Sequence, residues 1–330
     1  MNKFLNIGII QMPVNYDTSI NIEYFSKKVE EFCSAYHRPE IIIGVEGGIG
    51  YFTPQKIPGP ITEYFGRLAK KHRVYLLPGT MYEQSQELSD GMYYNTAPVF
   101  NPQGELIAAY RKMAPWRPME ESTAPGSEYV VFDIPEKNTK IGMIICYDSN
   151  FPEISRNLTL MGAEVIIKLT QDPQELFKIN QHIHYARALE NQAFFICTNG
   201  VGFFGGMNLY GHSQVITPEG NIIWEAEQNE TMATVTLDIG LVHRCRHYGT
   251  LFMDHYLQHL GDYNFPMPYA DKILESPLLK TLPRGTNNPV EYEQRLAKID
   301  VGTIGKALNE NATKESTDYE FNLESFLNNN

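Results

Sequence analysis

The chain has 330 residues, of which 42% are hydrophobic, and a formal net charge of -12 at pH 7. That apolar content supports a sizeable buried core, in one large domain or two ordinary ones, and excludes a chain disordered throughout. The acidic balance argues against generic nucleic-acid binding, which needs a basic face, and leaves open a small neutral or anionic substrate.

In chain order, β-branched runs at 7–11, 41–45, 74–77, 97–100, 141–145, 165–168 and 194–198 read as buried strands. Amphipathic segments at 19–36, 61–72, 151–161 and 175–192 read as helices between them. The alternation predicts α/β architecture. Asn101-Pro102-Gln103-Gly104 and Thr217-Pro218-Glu219-Gly220 each lie between apolar runs and carry hairpin turn chemistry, so some strands are antiparallel. Two packed mixed sheets with helices outside fit this better than one doubly wound parallel sheet. The folded domain is expected over 1–270. Residues 271–330 turn Pro-rich and then Asn/Glu-rich, and read as a partly mobile C-terminal extension or arm.

The first residues enter a short apolar run without the longer apolar segment and cleavage site of a signal peptide, and no stretch approaches the length of a membrane span. Cys33, Cys146, Cys197 and Cys245 are far apart and form no CxxC pair, so reduced thiols in a cytoplasmic protein are expected, with neither membrane nor nucleic acid as a partner.

Among these thiols Cys146 stands out. It ends the strand Ile141-Gly142-Met143-Ile144-Ile145 and precedes Tyr147-Asp148-Ser149-Asn150-Phe151-Pro152-Glu153, which reads as a turn into a helix capped by Asn150. A helix N-terminus favours thiolate over thiol, and the Tyr147 N–H is placed to donate to a developing oxyanion. A cysteine after an apolar strand is more often a small buried hydrophobe, and the other three cysteines keep that reading. None of the nine histidines lies in a motif that marks it as the base. Glu46 follows the run at 41–45 and precedes Gly47-Gly48; a partly buried carboxylate there has a raised pKa and accepts a thiol proton. Lys112, just after a hairpin strand, is a cation for an oxyanion. Each of these two, taken alone, reads as a surface residue.

Glu46 at a strand end, Tyr110-Arg111-Lys112 after a hairpin strand, and Cys146-Tyr147-Asp148 with Phe151-Pro152-Glu153 together resemble the Glu-Lys-Cys pattern of the nitrilase superfamily of carbon–nitrogen hydrolases, over residues 5–250. The resemblance implies a four-layer α-β-β-α sandwich with mixed sheets and a C-terminal extension. It further implies no metal or organic cofactor, and a homo-oligomer formed through the faces of the helices after the nucleophile. Ala186-Arg187-Ala188-Leu189-Glu190-Asn191-Gln192 resembles the family's helix before a late strand, with structural roles for its arginine and glutamate.

Pro115-Trp116-Arg117-Pro118-Met119-Glu120 resembles the segment after the lysine in aliphatic amidases and formamidases. There Glu120 corresponds to a second active-site carboxylate that positions the amide, with Glu121 as the adjacent alternative, and Trp116 either walls the acyl pocket or belongs to the core. Nitrilases carry Trp-Glu after the cysteine, so Tyr147-Asp148 disfavours nitriles. The expected reaction is hydrolysis of a small aliphatic amide through a cysteine thioester, releasing ammonia and a carboxylic acid. The alternatives are an N-carbamoyl hydrolase, an omega-amidase, or a binding protein that keeps the fold. Ser149 and Asn150 stand where omega-amidases and N-carbamoyl hydrolases often hold a substrate carboxylate with arginine, which favours a small or uncharged substrate.

Overall fold

The computed structural model describes residues 3–253, 256–263, 265, 272–281, 288, 290–291 and 294. Contacts divide the chain into two units, one comprising Met1–Pro115 and Ser122–Met267, the other Trp116–Glu121 and Pro268–Asn330.

The first unit runs β1 (Phe4–Gln11), α1 (Thr18–Ser34), β2 (Ile41–Gln55), α2 (Pro60–His72), β3 (Tyr75–Glu83), β4 (Tyr94–Phe100) and β5 (Leu106–Arg111). It continues through β6 (Val131–Ile134), β7 (Thr139–Ile145), α3 (Pro152–Leu160), β8 (Val165–Thr170), α4 (Phe177–Asn191) and β9 (Phe194–Asn199). The hairpin β10 (Val201–Phe204) and β11 (Met207–Tyr210) follows, then β12 (Gln214–Ile216), β13 (Ile222–Glu225), β14 (Thr231–Asp238), α5 (Ile239–Tyr248) and α6 (Tyr256–Asp262).

Two six-stranded sheets result, ordered β14-β1-β2-β3-β4-β5 and β13-β12-β9-β8-β7-β6. The centre of each is parallel, β1-β2-β3 in one and β7-β8-β9 in the other, and every other pairing in these two sheets is antiparallel. Both turn tetrapeptides close antiparallel pairs, β4-β5 and β12-β13, as their chemistry predicted.

Period-two alternation sorts each strand's side chains into two layers. Ile7, Ile9, Ile43 and Leu77 face Ile141, Met143, Ile145 and Ile167 in the core between the sheets. The residues between them point outward: Ile10, Ile42 and Leu76 pack on Phe25, Val29 and Phe32 of α1 and on Phe65 and Leu68 of α2. Ile144, Ile166 and Phe195 pack on Ile154 and Leu158 of α3 and Ala188 of α4. The helices face inward because their apolar residues recur at helical spacing, and each fully buried large side chain contributes about 1.5–3 kcal/mol. The result is the expected α-β-β-α sandwich of mixed sheets.

Helix starts follow local chemistry. Asp17 caps α1 by accepting from the Ser19 N–H at 2.9 Å, and Pro60 opens α2, where a missing N–H costs nothing. The predicted strand at 41–45 is only the first third of β2, which continues irregularly to Gln55 with register shifts after Val45 and Gly50. Alternation fails there because Gly47 (φ 66°) and Gly50 (φ 139°) take conformations closed to most L-residues. Gly79 of β3 lets this segment sit close, since a Cβ on it would lie 2.3 Å from the Val45 carbonyl oxygen. Across the sandwich, the Thr198 hydroxyl of β9 donates to the Gly44 carbonyl of β2 at 2.6 Å.

In the second unit Trp116–Glu121 forms a tight turn, with the Trp116 N–H donating to the Glu120 carboxylate and the Glu120 N–H to the Trp116 carbonyl at 2.8 Å. Ile273–Glu275 makes a single 3-10 turn and Pro277–Thr281 a short helix, α7. Most of the extension read at 271–330 lies outside the described residues. No helix among the described residues is long and apolar enough to cross a membrane.

Candidate active site

The carboxyl ends of the parallel strands from both sheets converge on one place, the edge at which open α/β sheets bind ligands. From the first sheet come Glu46, on β2, and Lys112, immediately past β5. The two form a buried pair at 3.0 Å, with side chains 4% and 1% exposed. The same Glu46 oxygen accepts from Asn95 Nδ2 at 2.8 Å, and the other accepts from the Gln171 N–H at 3.1 Å. Lys112 is held through its backbone, donating to the Asn95 carbonyl at 2.9 Å and accepting from the Gly126 N–H at 2.7 Å.

From the second sheet comes Cys146, at the end of β7. It is partly exposed and has φ 48°, in the left-handed region that costs a non-glycine residue about 1–2 kcal/mol. Strain of this kind is found where a reactive side chain is aimed by a sharp turn. Cys146–Asn150 forms a 3-10 turn, and α3 begins only at Pro152. The N-cap is therefore Phe151, without a side-chain cap, and not Asn150: the residue before proline is driven to extended backbone and becomes the boundary. The expected thiolate is corrected too. Burial first, and then the Glu46 charge, push the Cys146 thiol well above its ordinary value, against the pull of Lys112. The thiol lies within the field of the Glu46–Lys112 pair, so the three residues singled out in the sequence do come together. Tyr147 lies in the same turn, its ring edge-on to Phe151 with centroids 5.4 Å apart. Trp116 and Glu120 belong to the turn of the second unit described above.

Asp148 stitches the Cys146–Asn150 turn to the segment that follows Lys112. Fully buried, it accepts from the Tyr110 hydroxyl (2.7 Å), the Ile145 N–H (2.9 Å) and the Ala114 N–H (2.7 Å). Burial raises its pKa from 3.8 to about 6, although these bonds and Lys112 work against the shift. A carboxyl with a folded pKa above its unfolded one binds more protons in the native state over that interval. Its contribution to stability is complete below the unfolded value and is lost as pH rises through about 6. Relative to Asp148→Asn, the wild-type protein is therefore expected to lose up to about 3 kcal/mol between pH 4 and pH 7, measured by denaturant unfolding. A pH-independent difference between the two proteins contradicts this.

A second buried ion pair, Lys168–Asp172, was not singled out from the sequence. Lys168, in β8, shares the parity of Ile166 and so points to the helix side of its sheet, where it meets Asp172 at 2.6 Å with side chains 1% and 4% exposed. Asp172 Oδ2 also accepts from the Tyr210 hydroxyl at 3.2 Å, and the Asp172 N–H donates to Asn199 Oδ1 at 2.8 Å. Its other oxygen, Oδ1, faces Cys146 and accepts from its Sγ at 3.6 Å. Burial opposes ionisation of Asp172, yet the Lys168 ammonium outweighs it and holds the carboxyl below its usual range. Lys168 Nζ lies 3.1 Å from His184 Nε2, and burial together with Lys168 keeps that imidazole neutral. An ammonium donating to Nε2 places the ring proton on Nδ1. Gln214 Nε2 stands 2.5 Å from Nδ1, so with the proton on Nδ1 the amide is better assigned with its oxygen and nitrogen exchanged, which lets Oε1 accept from Nδ1 and gives a partner to a buried oxygen that otherwise has none. Asp172, His184 and Cys197 offer ligand atoms within 4.8 Å of one another, but the cation among them is the Lys168 ammonium.

Arg187 of α4 braces the Cys146–Asn150 turn. Its Nε donates to the Ser149 carbonyl at 2.8 Å and its Nη1 pairs with Glu190 at 2.8 Å, the structural role expected of both residues.

A four-layer α-β-β-α sandwich with a thiol and a buried carboxylate–ammonium pair at its strand ends is the layout of the nitrilase superfamily. The profile of the family described as carbon-nitrogen hydrolase matches residues 6–247, and the chain belongs to that family. A deaminated glutathione amidase of Dictyostelium discoideum is 29% identical over 273 residues, covering 74% of this chain and 92% of that protein. A formamidase of Bacillus cereus strain B4264 is 28% identical over 236 residues, covering 67% of this chain and 70% of that one. Among solved structures, Saccharomyces cerevisiae Nit3, a member of branch 10 of the nitrilase superfamily, has a TM-score of 0.66 at 23% identity, covering 74% of this chain and 93% of its own.

Proposed function

We propose that the chain hydrolyses a small, uncharged, aliphatic amide through a thioester on Cys146, releasing ammonia and a carboxylic acid. The observation that carries this reading is the Cys146 thiol at a strand end within the field of a buried Glu46–Lys112 pair. Glu46 accepts the Sγ proton as sulfur attacks the amide carbonyl, and the oxyanion forms against Lys112 and the Tyr147 N–H. Protonated Glu46 then gives its proton to the departing ammonia. Water attacks the thioester with Glu46 again as base, and the enzyme returns to its starting state. The resemblance to aliphatic amidases and formamidases assigns Glu120 the role of positioning the amide and Trp116 a place in the acyl pocket. The reaction uses no metal or organic cofactor.

The hydrolase domain spans 1–270 and carries 271–330 as an extension. Association of copies through the α3 and α4 faces accords with exposed Leu160, Met161, Ile179 and Leu189 there. A cytoplasmic setting suits a nucleophile that must stay a free thiol. The amide activity named for the Dictyostelium discoideum relative favours one second reading, an omega-amidase or N-carbamoyl hydrolase with a larger substrate.

The test is ammonia release from formamide, acetamide, propionamide, an omega-amide and N-carbamoyl compounds, by wild type and Cys146→Ala. Thiol-dependent turnover of the short amides is the expected result. Turnover confined to the omega-amide or the carbamoyl compounds establishes the second reading instead, and no thiol-dependent release from any of them overturns both.

A further inference from the structure

The Asp172–Lys168 pair has no part in the mechanism above, yet its carboxylate touches the nucleophile. Asp172 Oδ2 is occupied by Lys168 Nζ and the Tyr210 hydroxyl, and the side chain is pinned further by Asn199 at its backbone. Oδ1 is turned to Cys146 Sγ at 3.6 Å. The ion pair is thus a fixed dipole whose negative end faces the sulfur, in keeping with the larger influence of Asp172 than of Lys168 on the thiol. An acyl carbon attached to Sγ is one bond from an atom already in contact with Oδ1, so its substituents come within hydrogen-bond reach of that oxygen. The carbonyl oxygen is excluded from this side by charge and is drawn to the Lys112 side. What Oδ1 favours is an N–H donor or a cation. What it opposes is a second carboxylate next to the acyl carbon, because like charges in a poorly solvated site repel strongly and an unpaired buried anion is costly.

Resting on the reading of Cys146 as nucleophile, we infer that Asp172 makes the substrate side of the sulfur an anionic, N–H-accepting subsite. The enzyme therefore takes primary amides whose acyl group is uncharged or cationic beside the scissile bond, and turns away those bearing a carboxylate there. Asp172 is in this sense a specificity-determining residue, and Lys168 keeps it ionised and in place.

Two alkylating reagents of nearly equal shape isolate the effect without requiring turnover. Cys146 of the full-length protein is treated with iodoacetamide or iodoacetate, and its modification is followed by peptide mass spectrometry to separate it from the other cysteines. The iodoacetamide-to-iodoacetate rate ratio is expected to exceed that of free cysteine by about tenfold. In Lys168→Met/Asp172→Asn, which removes both charges together so that neither is left buried alone, the ratio is expected to fall at least about threefold toward that of free cysteine. A wild-type ratio equal to that of free cysteine, an unchanged ratio in the folded double variant, or a Cys146 that reacts with neither reagent overturns the inference. Should the variant not fold, protection of wild-type Cys146 decides: acetamide is expected to slow its modification and acetate is not, and equal protection by both overturns the inference. Selectivity without hydrolysis of any amide refutes the catalytic reading while leaving the anionic subsite, and hydrolysis without selectivity does the reverse.

Discussion

Cys146→Ala and Cys146→Gly are both expected to lose amide hydrolysis by about a million-fold, the loss seen when a covalent nucleophile is deleted from an otherwise intact site. Their stabilities, however, are expected to diverge. Cys146 sits at φ 48°, where alanine is strained as cysteine is but glycine is not. Cys146→Gly should therefore be the more stable of the two by about 1 kcal/mol in denaturant unfolding, even though glycine gains more freedom in the unfolded chain. Two equally dead variants, of which the smaller residue is the more stable, would show that the turn is held in a costly conformation for the sake of the thiol. Residual thiol-independent turnover, or a Cys146→Gly protein less stable than Cys146→Ala, would contradict the account.

Lys112→Met is expected to damage stability and catalysis together. The Lys112 ammonium is the cationic partner of a carboxylate that is 4% exposed, so its removal leaves Glu46 charged and uncompensated, at a cost of about 3–5 kcal/mol. The rate falls as well, by about 10²–10³-fold if Lys112 acts only on the oxyanion. Adding Glu46→Gln removes the orphaned charge while keeping an acceptor for Asn95 Nδ2, and most of the lost stability should return. Activity should not return, because the proposed base is then missing as well. Recovery of stability without recovery of turnover separates the electrostatic role of the pair in the fold from its role in the reaction. A Lys112→Met protein of near wild-type stability and rate would sink both.

Much of this was readable in advance because it depends on local pattern. Outward and inward residues alternate along β1, β7 and β9, the turn tetrapeptides bend the chain where proline and glycine require it, and Glu46, Lys112 and Cys146 each lie at or near the end of an apolar run. The cap of α3 was misplaced by one residue because the asparagine signal competes with the stronger constraint that Pro152 puts on Phe151. β2 was cut short because its glycines interrupt the period that marks a strand. The Lys168–Asp172 pair was missed for a different reason: its members lie on a strand and in the loop after it, and their partners His184 and Tyr210 come from a helix and a hairpin, so only the folded chain brings them together. One signal was available. A lysine inside Val165-Ile166-Ile167-Lys168-Leu169 cannot stay buried without an anion, and Asp172 is the first acidic residue after it.

The hydrogen bonds that cross between the sheets acquire a further meaning once the origins of the site residues are compared. Glu46 and Lys112 are carried by one slab of the sandwich, Cys146 and Asp172 by the other, and Thr198 and Gln171 of the second slab bond to Gly44 and Glu46 of the first. A shear of one slab over the other would leave each sheet's own ladder intact while moving Glu46, the proposed proton acceptor, away from Cys146, the proposed donor. Proton transfer tolerates only about 0.5 Å of such misplacement, so the interlock between the slabs acts as an alignment pin. On the proposed mechanism, reactivity is a mechanical property of the whole sandwich, set by how firmly two plates are kept from sliding.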